Sequence, residues 1–377
     1  MIFLHASLRL KPPLNKLNEF NPQSFKCNGR VRGSVTEFGH SETPDVGEEV
    51  LATTAHRVRL PHDRASDLWI DDSPSPILTE SMERWTRTLL EDDGYRPVGQ
   101  TRVLVRARVI AKQEGVLCGS HVVNHLLRTR LPDVQMSWHK REGERFHIDD
   151  TLLILDGAAL EILAVERVLI NLIGRMSGIA TETERWVNRL NGLRVASTRK
   201  TAWGILDKWA VHIGGGLTHR LRKSDAWMIK ENDQTVLKMN HGESKKDTMK
   251  NWIATTDLNN HGAFTVIEVD TISMANMIAK AWCNRMMETE EDRILVIMLD
   301  NMGPAKTKEA VLDIQSHGYD QWICTEASGN IHFEDLDDWM TTGVDVLSTS
   351  SMNMGVRSID ISMLVDESGV RTLPSED

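Results

Sequence analysis

The second half of the chain alternates short apolar runs with amphipathic stretches. The apolar runs predict buried strands at residues 193–197, 226–229, 264–269, 294–299, 321–325 and 344–347. Between most of them, apolar residues recur at helical spacing, as in residues 273–287 and 305–315. Strands that are apolar throughout and alternate with helices are typical of a parallel sheet buried on both faces. The pattern therefore favours an α/β barrel, with an open doubly wound sheet as the alternative.

The first half has a different rhythm. Residues 78–92 predict a helix, and residues 101–112 predict a half-buried strand because apolar residues alternate with arginines. Shorter strands are predicted at residues 134–138, 144–147 and 151–155. Residues 160–190 predict a long helical region, which we expect Gly178 to interrupt. A first domain with a sheet rich in antiparallel pairs is implied.

Residues 1–65 show little periodicity and contain clusters of Gly, Pro, Ser and Asp, which predicts a poorly ordered segment or extension. The basic composition of the first 36 residues also suits a transit peptide, but a simple extension is favoured. The first α/β domain is placed at residues 66–165 and the barrel at residues 166–349.

Composition narrows the class of protein. Of the 377 residues, 40% are apolar and 26% are charged, which is ordinary for a globular protein. The net charge of -10 argues against a nucleic-acid partner, and no apolar run approaches the ~18 residues of a membrane helix. The four cysteines lack CxxC or metal-site spacing, so we expect reduced thiols in a cytoplasmic protein.

Charged and hydroxyl residues follow the predicted strands at their carboxyl ends. These residues are Arg199, Lys200, Lys230, Glu268, Asp300 and Ser328. A barrel brings such ends to one rim, where α/β enzymes place their chemistry. A single charge after a strand is usually the start of a solvated loop, but six in succession predict a site. Its cations suit an anionic substrate and its carboxylates suit a metal.

A glycine run at residues 214–216, followed by His219 and Arg220, is a weaker signal. It allows backbone N–H groups to approach a ligand, or simply makes a flexible loop. It matches neither the dinucleotide nor the Walker A fingerprint, and neither HExxH nor GxSxG occurs in the chain.

Residues 197–232 resemble the quinolinate phosphoribosyltransferases (nicotinate-nucleotide pyrophosphorylases, carboxylating). The matching motifs here are TRKT at 198–201, KWAV at 208–211, GGG at 214–216, HR at 219–220 and IKEN at 229–232. The resemblance extends to a helix motif at 166–181, EVD at 268–270, LDN at 299–301 and EASG at 326–329. It covers about residues 90–364.

The resemblance implies an N-terminal α/β open-faced sandwich over the mouth of an incomplete, seven-stranded α/β barrel. A segment of about residues 350–377 would pack back on the first domain, and the protein would be a homodimer with shared active sites. The implied reaction joins quinolinate to phosphoribosyl pyrophosphate and gives nicotinate mononucleotide, pyrophosphate and carbon dioxide, with Mg²⁺ as cofactor.

Family residues can be carried over one by one. The quinolinate carboxylates would meet Arg199, Lys200, His219, Arg220 and Lys230, with Arg167 of the partner subunit. The resemblance assigns Glu268 and Asp300 to Mg²⁺ and the ribose, and Ser328 and Gly329 to the 5-phosphate.

The chain departs from the family pattern mainly on the phosphate side. Asn330 and Ser350 replace expected glycines, and residues 285–293 are interpreted as a charged insertion. Two alternatives follow: a paralogue acting on another acid such as nicotinate, or a non-catalytic binding relative.

Overall fold

The computed structural model describes residues 60–97, 103–241, 244–260, 262–366 and 370–372. Its helices are α1 Pro76–Asp92, α2 Ser120–Arg130, α3 Ala159–Leu190, α4 Ile205–Ile213, α5 Glu231–His241, α6 Lys245–Thr255, α7 Ile272–Thr289, α8 Gly303–Ser316 and α9 Leu336–Met340. None of these helices is long and apolar enough to cross a membrane.

The strands of the first half are β1 Trp69–Ile70, β2 Ser73–Pro74, β3 Val103–Ala111, β4 Gly115–Val116, β5 Gln135–Trp138, β6 Arg145–Phe146 and β7 Thr151–Ala158. Those of the second half are β8 Arg194–Ser197, β9 Ala226–Ile229, β10 Phe264–Val269, β11 Leu295–Asp300, β12 Ile323–Ser328, β13 Val346–Thr349, β14 Ile361–Val365 and β15 Arg371–Thr372.

The first domain contains an antiparallel sheet in the order β14-β3-β7-β5, with β15 also paired to β3. The long strand β3 is central because its alternating apolar face is buried, including Val105, Ala107 and Val109. The sheet therefore has the antiparallel pairing predicted from the sequence. Because β14 and β15 come from the end of the chain, that end returns to the first domain.

The second sheet is parallel throughout, in the order β8-β13-β12-β11-β10-β9. Leu217 adds one parallel bridge to Ala196 on the outer side of β8. In the described part of the chain, no strand pairing joins Leu217 to β9. The sheet is thus an incomplete barrel whose seven strand positions are filled by six strands and a single bridging residue.

Helix α3 connects the two sheets without a break. The expectation that Gly178 interrupts it is wrong, because the helix continues to Leu190. A Cβ at Gly178 would lie 2.3 Å from the main-chain oxygen of Arg357, so glycine serves close packing here. The helix also runs across the predicted domain boundary between residues 165 and 166.

Residues 60–65 belong to the packed structure. His62 is completely buried, and Leu60 packs against apolar side chains inside the barrel. Ending the predicted extension at residue 65 is therefore too late. The rest of that prediction, for residues 1–59, lies outside the described residues. Of residues 285–293, those up to Thr289 belong to helix α7. That this segment is an insertion relative to the family stays a prediction.

Candidate active site

A cavity of about 750 Å³ opens at the carboxyl ends of the barrel strands. Its walls include all the site residues predicted for this chain's own cavity, namely Arg199, Lys200, His219, Arg220, Lys230, Glu268, Asp300, Ser328 and Gly329. Parallel pairing brings them together, because it places Asp300 of β11 beside Ser328 of β12. The strand-end argument therefore predicted the location of this cavity.

Arginine and lysine side chains give one wall an excess of positive charge. Arg199 and Lys200 are exposed, and among the described residues neither forms a salt bridge. Arg220 is buried, and its guanidinium lies near the main-chain oxygen of Ala226 and the sulfur of Met228, neither of which is an anion. Burial and then the charge of Arg199 lower the pKa of Arg220. An anion in this cavity would relieve that repulsion.

Lys208 is a buried cation that the sequence analysis missed. Its ammonium donates to the main-chain oxygens of Ser197 and Thr218, at 2.6 and 2.8 Å, and to the Ser197 hydroxyl at 2.9 Å. Burial, with Arg199 and Arg220, lowers the pKa of Lys208 to about 7. The lysine joins the end of β8 to the neighbouring Leu217 segment. In the sequence, only the position of Lys208 in the KWAV motif could have indicated that it belongs to the site.

The acidic wall is formed by Glu268 and Asp300. The Glu268 carboxylate accepts from the Lys230 ammonium at 2.6 Å. Asp300 accepts from the Ser328 hydroxyl at 2.9 Å and from the Asn301 amide at 2.6 Å. Both carboxylates line the same cavity, so they present an all-oxygen donor set of the kind that Mg²⁺ prefers.

The loop after β12 depends on residues with a positive φ. Gly329 has φ 89°, and a Cβ there would lie 2.2 Å from the Asn301 side-chain oxygen. Asn330 has φ 50° and donates its amide to the same oxygen at 3.0 Å. Asparagine tolerates this left-handed conformation better than most residues. Asn330, a departure from the family pattern, is therefore accommodated and braces the loop.

His219 lines the cavity but has no free ring nitrogen. Its Nδ1 accepts the backbone N–H of Arg220 at 2.8 Å, and its Nε2 lies 3.1 Å from Glu326. The Nδ1 contact requires the neutral tautomer with its proton on Nε2. Burial lowers the pKa of His219, although Glu326 opposes that effect. Carboxylate binding by His219 itself remains a prediction, and the structure supports an orienting role.

Glu326 is a second residue that sequence reasoning missed. It is completely buried and lies within hydrogen-bond distance of both His219 and His62. Burial alone would raise its pKa, but the two histidines hold the pKa of Glu326 well below its usual range. Its position within the EASG motif gave no indication of this pairing.

Arg167 does not line the cavity of its own chain. It lies exposed on α3, near the exposed Leu160 and Leu163. Its predicted contribution to the site of a partner subunit stays a prediction.

Comparisons with known proteins agree with this geometry. The quinolinate phosphoribosyl transferase N-terminal domain matches residues 86–177, and the C-terminal domain matches residues 179–364. A probable nicotinate-nucleotide pyrophosphorylase (carboxylating) from Methanothermobacter thermautotrophicus is 31% identical over 270 residues, covering 70% of this chain and 88% of the relative. The corresponding Bacillus subtilis protein is 31% identical over 261 residues, covering 68% and 82%.

Solved structures show the same architecture. The nicotinate-nucleotide pyrophosphorylase from Ehrlichia chaffeensis superposes with a TM-score of 0.60 at 25% identity, covering 76% of this chain and 98% of that one. Both domains, the motif order and the fold thus lead to one assignment. The chain belongs to the quinolinate phosphoribosyltransferase family.

Proposed function

We propose that this protein transfers the phosphoribosyl group of phosphoribosyl pyrophosphate to quinolinate, with decarboxylation, and so makes nicotinate mononucleotide for NAD biosynthesis. The observation that carries the proposal is one cavity in which unpaired cations face two carboxylates. The names of the related proteins support the same reaction.

The cationic wall suits a flat dianion. Guanidinium groups bind carboxylates through two parallel hydrogen bonds, which fixes orientation as well as charge. Arg199 and Arg220 fill this role, and Lys200 adds a third charge. Lys230 would be shared between the substrate and Glu268, because its ammonium already donates to the Glu268 carboxylate.

The acidic wall suits the sugar and the leaving group. Glu268 and Asp300 would hold Mg²⁺ directly or through water, as is usual for this ion with one or two protein carboxylates. When bound, Mg²⁺ neutralises part of the charge of the departing pyrophosphate. Ser328 and Gly329, which line the cavity, would bind the 5-phosphate. In this structure the Ser328 hydroxyl donates to Asp300, so phosphate binding would require it to turn.

The reaction needs little covalent help from the protein. The pyridine nitrogen forms a bond to C1 of the ribose while the bond from that carbon to pyrophosphate breaks. The carboxylate next to the nitrogen then leaves as carbon dioxide, and its bonding electrons stay on the ring carbon until a proton replaces it. The new positive charge on the ring nitrogen favours that step. Catalysis thus rests on positioning and electrostatics.

We also propose a homodimer with shared sites in the cytoplasm. The exposed apolar side chains of Leu160 and Leu163 lie near Arg167 at the start of α3, a surface suited to a second copy of the chain. The free, buried thiols of Cys118 and Cys283 are typical of a reducing compartment.

An activity assay tests the proposed reaction. The purified protein is mixed with Mg²⁺, phosphoribosyl pyrophosphate and either quinolinate or nicotinate. We expect mononucleotide and carbon dioxide from quinolinate, measured by chromatography and trapped label. Product from nicotinate alone would identify the paralogue instead. Absence of product with either acid, from folded protein, would favour the binding relative.

A further inference from the structure

A segment ahead of the family's matched region enters the barrel. Residues 60–64 precede both family domains, the first of which begins at residue 86. Within this segment the ring of His62 is completely buried, with Nε2 2.9 Å from a Glu326 carboxylate oxygen. Two residues later, the backbone N–H of Arg64 donates to the Thr218 hydroxyl at 2.8 Å. The segment is therefore attached at two points, to Glu326 of strand β12 and to Thr218, the residue before His219.

The segment approaches from the end of the barrel opposite the active site. Leu60, Pro61 and Arg64 line a cavity of about 410 Å³ together with residues at the starts of strands, including Phe264. Leu60 also packs against the interior clusters that contain Val266 and Leu217. His62 thus connects the amino end of the barrel with a carboxylate in its interior.

Glu326 connects His62 to the active site, because it also contacts His219. The rings of His62 and His219 meet edge to face, with centroids 5.0 Å apart, and both reach Glu326 through Nε2. His219 then accepts the backbone N–H of Arg220. His219 has φ 51°, a conformation that a non-glycine residue keeps only when its surroundings hold it. The chain of contacts therefore ends on the main chain of a buried, unpaired cation.

The hydrogen-bond pattern favours this role over a metal centre. His62, His219 and Glu326 have the residue types and the proximity of a metal site. A histidine that binds a metal through Nε2 carries its proton on Nδ1 and donates it to a second partner. The Nδ1 of His219 instead accepts a hydrogen bond, and within the described residues the Nδ1 of His62 has no partner. Both arrangements fit imidazoles that donate directly to Glu326.

We propose that His62 is a positioning residue: through Glu326 and His219 it holds Arg220 in the geometry that binds a carboxylate of the substrate. The identity of that substrate rests on the proposed function. Removing His62 leaves a buried carboxylate with one donor fewer, which frees Glu326 and His219 to reorient. The result would be weaker binding of the pyridine acid, with the phosphoribosyl side little affected.

Three variants of the full chain test this role. His62→Phe keeps a ring but removes the donor, whereas His62→Gln retains an N–H donor. His125→Phe is the control, because His125 and Glu83 form a 2.9 Å pair between α1 and α2 and neither residue lines the cavity. The readouts are the KM for each substrate, kcat, the melting temperature, and the Kd for quinolinate by calorimetry.

We expect His62→Phe to raise the KM and Kd for quinolinate about tenfold or more, as loss of a hydrogen bond to a charged group predicts. The KM for phosphoribosyl pyrophosphate should change less than about twofold. We expect His62→Gln to recover most of the loss and the His125 variant to behave as wild type. Unchanged quinolinate affinity in His62→Phe, or parallel losses for both substrates, would overturn the proposal.

Two further experiments distinguish failure of the His62 role from a variant that does not fold and from failure of the proposed function. If His62→Phe does not fold, Thr218→Val removes the second attachment, and a selective rise in the quinolinate KM is again expected; an unchanged KM there counts against the proposal. If wild-type protein makes no mononucleotide, the proposed function fails. The His62 role is then judged by the quinolinate Kd alone, where equal values in wild type and His62→Phe overturn it.

Discussion

At the scale of single residues, the site depends on cations such as Arg199 that pair with no anion among the described residues. Arg199 is exposed in the cavity and forms no salt bridge with any described residue. We expect Arg199→Ala to abolish measurable quinolinate binding, a loss on the order of 100-fold, because a carboxylate would lose its two-pronged partner. Arg194→Ala is a suitable control, since Arg194 is exposed at the opposite end of the same strand. Calorimetry with quinolinate distinguishes the two, and normal binding by Arg199→Ala would show that the anion binds elsewhere.

Lys208 gives the stability of the protein a pH dependence of known sign. Burial lowers its pKa from 10.5 to about 7 in the folded state, so between these values the unfolded chain binds more protons. Its contribution to the free energy of unfolding therefore rises with pH above about 7, by up to about 1.4 kcal/mol per pH unit. Urea unfolding of wild type and Lys208→Met at pH 7, 8 and 9 measures this. We expect the stability difference to move in favour of wild type as pH rises; parallel curves would contradict the assignment.

Sequence reasoning locates the residues that follow apolar runs and misses those whose partners are remote. Asp300 and Ser328 are predictable because each ends a buried strand. Glu326 lies within such a strand, and its partner His62 is 264 positions away in an aperiodic segment. No local sequence pattern predicts a contact between residues so far apart in the chain. The neutral state of His219 also depends on the backbone conformation of Arg220, which spacing does not reveal.

At the scale of elements, helix α3 shows tertiary contact overriding local propensity. Glycine in a helix costs about 1 kcal/mol relative to alanine, so an exposed Gly→Ala change would stabilise the protein. Gly178 faces the backbone of Arg357 too closely for a Cβ. We expect Gly178→Ala to destabilise by about 1–3 kcal/mol, the usual cost of overpacking. Asn188→Ala, at an exposed position of the same helix, should instead be neutral or slightly stabilising in thermal unfolding. A stabilised Gly178 variant would show that residues 357–358 move aside readily.

The barrel strands were predictable as elements, but their limits were not all correct. The predicted strands at 321–325 and 344–347 lie about two residues too early compared with β12 and β13. Small and hydroxyl residues such as Ala327, Ser328 and Ser348 lack the apolar signal, yet they pair in register. The seventh strand position escaped detection because it consists of one bridging residue, Leu217.

At the scale of the whole molecule, the two sheets are tied together by chain connectivity. Helix α3 contributes buried residues along its full length, from Ile162 to Leu190. The end of the chain then passes the barrel and adds β14 to the first sheet. Truncation within β14 would therefore disturb a sheet that begins about 250 residues earlier in sequence. The strand rhythms indicated two domains, but this closure was available only from the family resemblance.

The proposed dimer leads to a prediction that does not follow if each active site is built from one chain alone. If Arg167 completes the site of the partner subunit, Arg167→Ala and Arg199→Ala should each be inactive as homodimers. In a mixed dimer, one site carries both changes and the other carries none. In a purified mixed dimer half of the sites are intact, so its activity should be about half that of the wild-type dimer. Co-expression of the two variants with different tags and assay of the doubly purified dimer test this.

The matched control for this experiment pairs Arg199→Ala with Lys230→Ala. Both residues line the cavity of the same chain, so every site in a mixed dimer keeps one defect. We expect no recovery from this pair, because exchange of subunits does not bring an intact Arg199 and an intact Lys230 into one cavity. Recovery with Arg167→Ala and not with Lys230→Ala would assign Arg167 to the neighbouring site. Equal behaviour of the two pairs would remove Arg167 from the site and leave α3 with a purely structural role.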